Sequence, residues 1–223
     1  IWRDYITSFG FGQKLNPELS SEVKGNIPEV SLYDKWYTPG HWTSMTIRSL
    51  AIGQGEIEAT PLQMANLCAM IANRGYYITP HIVKAIQDTN RVYRELKFDK
   101  KVVAISPEHF TTVIDGMQAV VDETRTLGAT VHLDDIIICG KTGTVQNPHG
   151  ADHSAFVGFA PRDNPKIAIA VFIENAGFGA TYAAPIAGLL IEKYLNDSIV
   201  PKRKDLEQRL IETDLRNVVQ VKK

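Results

Sequence analysis

The feature that most constrains this chain is the run Ile136–Val145, in which three isoleucines lead into a short cationic, hydroxyl-rich segment. A short apolar run bounded by turn residues predicts a buried strand. Alternation along that strand puts Thr142 and Thr144 on one face and Lys141 on the other. Gly143, between the two hydroxyls, lets another backbone come close. The stretch therefore predicts a site for an extended ligand that ends in a carboxylate.

A nucleotide site is the competing interpretation of Gly140-Lys141-Thr142, because a phosphate-binding loop ends in Gly-Lys-Ser or Gly-Lys-Thr. That loop requires a second glycine five residues earlier, where this chain has Asp135. It also requires a helix that starts at the lysine, whereas Asn147-Pro148 predicts a turn soon after it. The phosphate-loop interpretation is excluded on both counts.

Two further motifs accompany the Lys141–Thr144 box. The first is Ile52–Gly55 together with Ala59–Ala65 (Ala-Thr-Pro-Leu-Gln-Met-Ala), and the second is Asp152–Pro161. In this order and spacing the three motifs resemble the monofunctional, class B penicillin-binding transpeptidases, and most closely those of cell-wall elongation. The resemblance extends from the start of the chain to about Leu195.

The resemblance implies the fold and the extent of the domain. The expected class is α/β (α+β), a partial penicillin-binding transpeptidase or serine β-lactamase-like fold in which helices flank an antiparallel sheet. Residues 1–200 would be the C-terminal portion of the transpeptidase domain. Residues 201–223, richer in basic side chains, would be a charged tail with a short peripheral helix.

The nucleophile of this family is a serine in a helical Ser-x-x-Lys motif. Ser21 and Lys24 match the spacing, but Gly25 and Pro28 follow at once and prevent a helix, so we interpret the match as a coincidence. No Ser-x-Asn tripeptide, the second motif of the family, occurs in the chain. We therefore expect one wall of the active site here and the nucleophile outside these residues.

The resemblance also implies the chemistry of the parent protein, a serine-type peptidoglycan D,D-transpeptidase that cross-links stem peptides and is acylated by β-lactams. Lys141 and Thr144 would be catalytic. Thr142, Gly143 and Thr144 would bind the substrate. No metal and no organic cofactor are implied.

The implied partners are a stem peptide ending in D-Ala-D-Ala, β-lactams and other proteins of cell-wall elongation. The location would be the periplasmic face of the bacterial inner membrane, with membrane attachment only through an N-terminal anchor outside the chain. A formal net charge of −1 gives no reason to expect nucleic acid or an anionic membrane as a partner. The chain by itself shows neither a membrane-span pattern nor a signal peptide.

Three alternatives remain open: a serine β-lactamase, a β-lactam sensor domain, and a non-catalytic binding fragment. The Gly-Gln-Gly and Thr-Pro-Leu-Gln motifs favour a transpeptidase over a β-lactamase. His149 and His153 have the spacing of two helical metal ligands, but Pro148 and Gly150 favour a loop at the rim of the site. Cys68 and Cys139 lie in apolar runs and predict two buried free thiols.

Local patterns predict the remaining elements. Helices are expected at Ile1–Phe9, from Thr60 to Asn73 or Arg74, from Ser106, at Ala184–Tyr194, and around Leu206, Leu210, Ile211 and Leu215. Strands are expected at Tyr76–Ile86, Val92–Ile105, Ser154–Ala160 and Ile167–Glu174, the last two forming an antiparallel meander with the Lys-Thr-Gly strand. An irregular segment is expected from Gln13 to His41, and a turn at Asp88-Thr89-Asn90.

Overall fold

The computed structural model describes residues 1–16, 18–89 and 91–218. Asn90 of the predicted turn, and residues 219–223 of the predicted tail, lie outside the described residues. The chain divides into two compact units, Ile1–Leu67 with Tyr76–Ala104 and Cys68–Gly75 with Ile105–Lys223. The predicted boundary at residue 200 stays a prediction.

The first unit is built from short elements. They are α1 (Trp2–Ser8), α2 (Val30–Tyr37), a 3₁₀ turn (Arg48–Ile52), the beginning of α3 (Pro61–Ala72), and four strands, β1 (Tyr76–Ile78), β2 (Ala85–Gln87), β3 (Tyr93–Glu95) and β4 (Lys100–Val102). The strands form two antiparallel pairs, β1 with β4 and β2 with β3, so that one pair is nested within the other along the chain.

The predicted start of α3 is confirmed down to its hydrogen bonds. The Gln63 N–H donates to Thr60 Oγ1 at 3.2 Å, and the Thr60 N–H donates to Gln63 Oε1 at 2.9 Å. This reciprocal pair is a capping box, which satisfies two donors that a helix start otherwise leaves free. The Gln63 side chain is fully buried, and its Nε2 also donates to the carbonyls of Gln13 and Lys24, each at 2.9 Å. One side chain therefore caps the helix and holds two loops.

Two predictions for the first unit were wrong in extent. The segment from Gln13 to His41 is not irregular throughout, because α2 occupies Val30–Tyr37. No glycine or proline interrupts these eight residues, and the buried Tyr33 holds the helix by packing between the rings of Trp36 and Trp42. The long strands predicted after Tyr76 are instead four strands of three residues each.

The second unit is a three-stranded sheet with helices. Its elements are α4 (Pro107–Glu123), α5 (Arg125–Thr130), β5 (Cys139–Val145), β6 (His153–Ala160), β7 (Ile167–Ile173), α6 (Ala183–Asn196), a 3₁₀ turn (Pro201–Arg203), α7 (Lys204–Glu212) and α8 (Leu215–Val218). The strands run antiparallel in the order β5-β6-β7, which confirms the predicted meander. Helix and antiparallel sheet together confirm the predicted fold class.

The core of this unit lies between the sheet and α6. Phe156 and Ala160 on β6 pack with Ala184, Ala187 and Ile191 of the helix, and all five are fully buried. The small residues of α6 leave room for the large ring of Phe156, which is packed without exposure between the helix and the sheet. The face of β6 that carries Phe156 is therefore the inner face of the sheet.

The isoleucine run was predicted to be a buried strand continuous with the Lys-Thr-Gly segment, and this is wrong, because β5 begins only at Cys139. Ile136 makes an isolated bridge with Leu133, and the Ile137 carbonyl accepts a hydrogen bond from the Arg162 N–H at 3.0 Å. Of the three isoleucines, Ile138 is buried in the core, Ile136 is half-buried against it, and Ile137 is exposed.

The residues after α6 are attached by a buried ion pair. Arg203 Nη1 lies 3.3 Å from Glu192 Oε2, and both side chains are almost fully buried. Glu192 Oε1 accepts the Val200 N–H at 2.8 Å, and Arg203 Nη2 donates to the Thr130 carbonyl at 2.6 Å. Burial lowers the pKa of the Arg203 guanidinium, while Glu192 opposes that shift.

Within the described ranges, no helix has the length and apolar character needed to cross a membrane.

Candidate functional site

The candidate site is β5, whose position in the sheet depends on two facing glycines. Gly140 lies directly opposite Gly158 on β6, and the ring of Phe156 covers both. A Cβ on Gly140 would lie 2.2 Å from Phe156 Cζ, and one on Gly158 would lie 2.6 Å from the Cys139 carbonyl oxygen. Glycine is required at both places by this close packing, and the packing fixes the start of the Lys-Thr-Gly segment on the core.

The register of the sheet assigns each side chain of the box to a face. Thr142 is opposite Phe156, and Thr144 is opposite Ser154. Because opposed residues of an antiparallel pair point to the same side, both threonines lie on the face of β6 that packs on α6. Lys141 is opposite Val157 and lies on the other face. The predicted separation of the threonines from the lysine is confirmed.

The three side chains differ in exposure. Lys141 is exposed, whereas Thr142, Gly143 and Thr144 are half-buried. Lys141 Nζ donates to the Thr142 carbonyl at 2.7 Å, which turns the ammonium back toward its own strand. One cation and two hydroxyls thus lie within four consecutive residues of the strand. Together they form a set of hydrogen-bond donors that suits an anionic ligand.

The strand is also open to a ligand along one edge. Among the described residues, β5 has a hydrogen-bonded neighbour on one side only, since the strand order is β5-β6-β7. Such an edge presents free N–H and C=O groups that an extended peptide can pair with, while pockets beside it read the side chains. The box is therefore placed where an extended peptide can lie alongside it.

Two connections border the far end of β5, and sequence reasoning did not identify their contacts. The turn 146–152 carries Asn147, and the loop 174–182 carries Asn175, whose amides are hydrogen-bonded at 2.7 Å. These two residues are far apart in sequence, so no local pattern could have predicted the pair. Of the two histidines predicted to lie in a loop, His149 does lie in the turn, whereas His153 is the first residue of β6.

Ser21 and Lys24, which match the Ser-x-x-Lys spacing, do not have the helical geometry of the nucleophile motif. Ser21 and Lys24 are exposed and outside any helix, and Gly25, with φ +64°, leads into a bridge between Asn26 and Glu58. A Cβ on Gly25 would lie 2.2 Å from the Glu58 carbonyl oxygen, so the chain is fixed in this extended path. The expectation that Gly25 and Pro28 prevent a helix is confirmed.

The two cysteines are buried free thiols, as predicted. Burial raises the pKa of Cys139 to about 11 and that of Cys68 to about 12. Nucleophilic attack by cysteine requires the thiolate, so Cys139 is chemically inert at neutral pH although it begins the candidate strand.

Comparison with known protein families gives one match over most of the chain. The profile described as the penicillin binding protein transpeptidase domain matches residues 1–192. Among curated proteins, the peptidoglycan D,D-transpeptidase MrdA of Haemophilus influenzae is 31% identical over 231 aligned residues, covering 92% of this chain and 35% of that protein. The chain thus spans about a third of the length of this curated relative.

Solved structures give the same answer. The structure of Pseudomonas aeruginosa PBP2 in complex with WCK 5153 is similar with a TM-score of 0.74 and 34% identity, covering 87% of this chain and 42% of that one. Penicillin-binding protein A from M. tuberculosis, as an imipenem acyl-enzyme complex, is similar with a TM-score of 0.72 and 26% identity, covering 86% and 41%.

Proposed function

Because the chain belongs to the penicillin-binding protein transpeptidase family, with penicillin-binding protein 2 among its relatives, we propose that it is the C-terminal portion of a peptidoglycan D,D-transpeptidase of cell-wall elongation. The observation that carries the proposal is the open β5 edge, on which Thr142 and Thr144 share a face and Lys141 takes the opposite one. The proposed location is the periplasmic face of the bacterial inner membrane.

The reaction in this proposal is acyl transfer through a serine ester. A serine outside these 223 residues attacks the penultimate carbonyl of a stem peptide, its proton passes to a base, and the terminal D-alanine leaves as the amine. The ester is then attacked by an amine of a neighbouring stem, which restores the serine and forms the cross-link. A β-lactam would acylate the same serine. The M. tuberculosis relative is described as an imipenem acyl-enzyme complex, which supports this part of the proposal.

Each residue of the box has a role in this proposal. The Thr142 and Thr144 hydroxyls donate hydrogen bonds to the terminal carboxylate of the substrate or drug. Gly143, without a side chain, lets the extended ligand pair with the strand. The Thr144 backbone N–H is one of the two donors to the oxyanion, a type of contact whose loss costs about 10²–10³ in rate.

Lys141 supplies positive charge beside the reacting serine and takes part in proton transfer. Its exposed ammonium donates one hydrogen bond, to a neutral carbonyl of its own strand. Among the described residues, no ion pair joins Lys141 to a carboxylate. The ammonium can turn toward an incoming carboxylate or toward a serine, because a hydrogen bond to a neutral carbonyl is weaker than one to a charged carboxylate.

The test uses the whole protein that contains this chain and a fluorescent penicillin. Lys141→Ala should slow acylation by about 10² or more, the usual size of a proton-transfer contribution, and leave the melting temperature unchanged. Lys166→Ala, which removes another exposed lysine from the turn between β6 and β7, is the matched control and should acylate normally. An unchanged rate for Lys141→Ala would remove this residue from the mechanism, and absence of any adduct on the wild type would overturn the proposed function.

A further inference from the structure

The loop 174–182, between β7 and α6, is fastened to the β5–β6 hairpin by a chain of polar contacts that the reaction described above does not use. We propose that Asn147 and Asn175 are positioning residues, whose paired amides hold this loop against the backbone of Gly143 and so keep the Thr144 N–H in place for the oxyanion. The inference rests on the proposed function, since it concerns the same acylation step.

The first fastening is the amide pair itself. Asn147 Nδ2 donates to Asn175 Oδ1 at 2.7 Å and to the Ala151 carbonyl at 3.3 Å, while Asn147 Oδ1 accepts the His149 N–H at 3.0 Å. Asn175 has a φ of 56°, in the left-handed region that asparagine tolerates better than most residues. The Asn147 side chain therefore makes hydrogen bonds within its own turn and also to the loop 174–182.

The second fastening uses the first two residues of β6 and the residue before them. The Asn175 N–H donates to His153 Nδ1 at 3.0 Å, which requires a neutral ring with its proton on Nε2. The Gly177 N–H donates to the Asp152 carbonyl at 2.7 Å. Ser154, fully buried and directly opposite Thr144, donates to the Phe178 carbonyl at 3.0 Å and accepts the Ala183 N–H at 3.1 Å. The loop is tied to the hairpin at both ends.

The middle of the loop then lies directly on β5. A Cβ built on Gly179 would be 2.5 Å from the Gly143 carbonyl oxygen and 2.4 Å from the Ala155 carbonyl oxygen, so only glycine fits. Backbone lies on backbone here, with no side chain between to absorb a shift. A movement of the loop toward β5 would therefore displace Gly143, the residue that precedes the proposed oxyanion donor.

The amide pair can be tested by changing only which atoms donate. Asn175→Asp keeps an acceptor for Asn147, and Asn147→Asp keeps the bond if the Asn175 amide turns over to donate. Combining the two substitutions places carboxylates opposite each other, and both the hydrogen bond and the attraction are lost. We expect near-normal acylation of each single variant by a fluorescent penicillin and a strongly non-additive loss in the double variant, about tenfold or more in the maximal rate constant.

A positioning role predicts where that loss falls. The maximal acylation rate should drop, while the drug concentration that gives half of it should change little, because the carboxylate contacts of Thr142 and Thr144 remain. As the pH falls, one carboxylate of the double variant takes up a proton and donates to the other, so its rate relative to wild type should recover. Deuterium exchange in a peptide covering residues 174–183 should be faster in the double variant than in wild type at neutral pH and should match wild type at lower pH. The two proteins are compared at the same pH, because every amide exchanges more slowly in acid and because the Asn175 N–H donates to His153 Nδ1 only when that ring is neutral.

Asn164→Asp is the matched control, since it makes the same change in the turn at the other end of β6 and β7 and should leave rate and exchange unaltered. Asn147→Ala adds no charge and guards against misfolding of the double variant; it should acylate more slowly than Asn147→Asp. Normal acylation by the double variant or by Asn147→Ala, with the exchange accelerated, would overturn the inference while the proposed function stands. A wild-type protein that penicillin does not acylate would instead overturn the function and, with it, this inference.

Discussion

At the scale of single residues, the glycine at the start of the Lys-Thr-Gly box has a measurable structural role. Gly140→Ala would bring a methyl group to 2.2 Å from Phe156 Cζ, and that ring is fully buried with no free space to enter. Overpacking of this kind costs about 1–3 kcal/mol in unfolding free energy. We expect a lower midpoint in denaturant.

Gly116→Ala in α4 is the matched control for this substitution. Apart from its chain neighbours and the backbone of its own helix, no atom lies within 4 Å of the Cβ it would add, and alanine is favoured over glycine in a helix by about 0.5–1 kcal/mol. The two alanine variants should therefore shift the midpoint in opposite directions. Equal stability of Gly140→Ala and wild type would show that the Phe156 ring is not fixed over β5.

The buried thiol that begins β5 sets a pH dependence. Burial raises the pKa of Cys139 from 9.0 to about 11, so the native state holds this proton more tightly than the unfolded state does. Its contribution to stability is complete below the ordinary pKa of a thiol and is lost as the pH rises through the folded value. Iodoacetamide, which reacts with the thiolate, should modify Cys139 slowly at pH 9.0 in the native protein and rapidly in urea at the same pH.

Mass spectrometry of the digested protein measures this for each cysteine separately. Cys68, with its pKa raised to about 12, should resist modification to a still higher pH than Cys139. Rapid native-state modification of Cys139 at pH 9.0 would mean that the strand start opens to solvent.

At the scale of elements, the capping box of α3 gives a graded prediction. Thr60→Ala removes one capping bond and should cost about 1 kcal/mol. Gln63→Met keeps the volume but leaves the Thr60 N–H and the carbonyls of Gln13 and Lys24 without their partner, and each buried unsatisfied group costs about 1–3 kcal/mol. Gln63→Met should therefore be the more damaging change by thermal unfolding.

Gln208→Met, on the exposed surface of α7, is the control for the same replacement and should change the melting temperature little. If the Gln63→Met variant is as stable as Gln208→Met, the loops held by Gln63 must rearrange so that their backbone carbonyls find other hydrogen-bond partners.

The elements that could be predicted from sequence are those whose signals are local. The Thr-Pro-Leu-Gln start of α3, the Ser-Pro-Glu start of α4 and the alternation of the meander each lie within a few residues. Helix α5 could not be predicted, because Arg125–Thr130 contains glycine and two threonines, all poor helix formers. Tertiary packing of the buried Leu127 holds it in place. The start of β5 at Cys139 escaped prediction for a similar reason, since a short apolar run does not by itself determine secondary structure.

The site divides in the same way. The opposite faces of Lys141 and of the two threonines follow from strand alternation alone and were predicted correctly. The Asn147–Asn175 pair and the contact of Gly179 with Gly143 join residues about 30 positions apart, and only the folded hairpin brings them together. Sequence patterns thus predicted the face of β5 on which each side chain of the box lies, but not the contacts between the hairpin and the loop 174–182.

At the scale of the whole molecule, the proposed function makes β5 a binding strand whose chemistry depends on a group outside the 223 residues. The box offers a cation, two hydroxyls and an open strand edge, and these can hold a carboxylate and polarise a carbonyl. Covalent capture needs in addition an activated nucleophile, because a serine hydroxyl at its ordinary pKa is a poor one. Exposed hydrogen bonds alone gain little over those with water.

These 223 residues, produced by themselves, should therefore form no covalent adduct with penicillin. Ser21 is the one serine of the sequence with a lysine at the family spacing, and it and Lys24 lie outside any helix. Both side chains are exposed, so nothing desolvates the lysine to make it a base. Half of the proposed oxyanion hole would be missing too, at a cost of about 10²–10³ in rate. Intact-mass spectrometry after incubation with excess benzylpenicillin measures the outcome, with the whole protein as the positive control. An added drug mass that maps to Ser21, or to any other serine of the chain, would place the nucleophile within these residues and contradict the proposed assignment of the chain to the C-terminal portion of the domain.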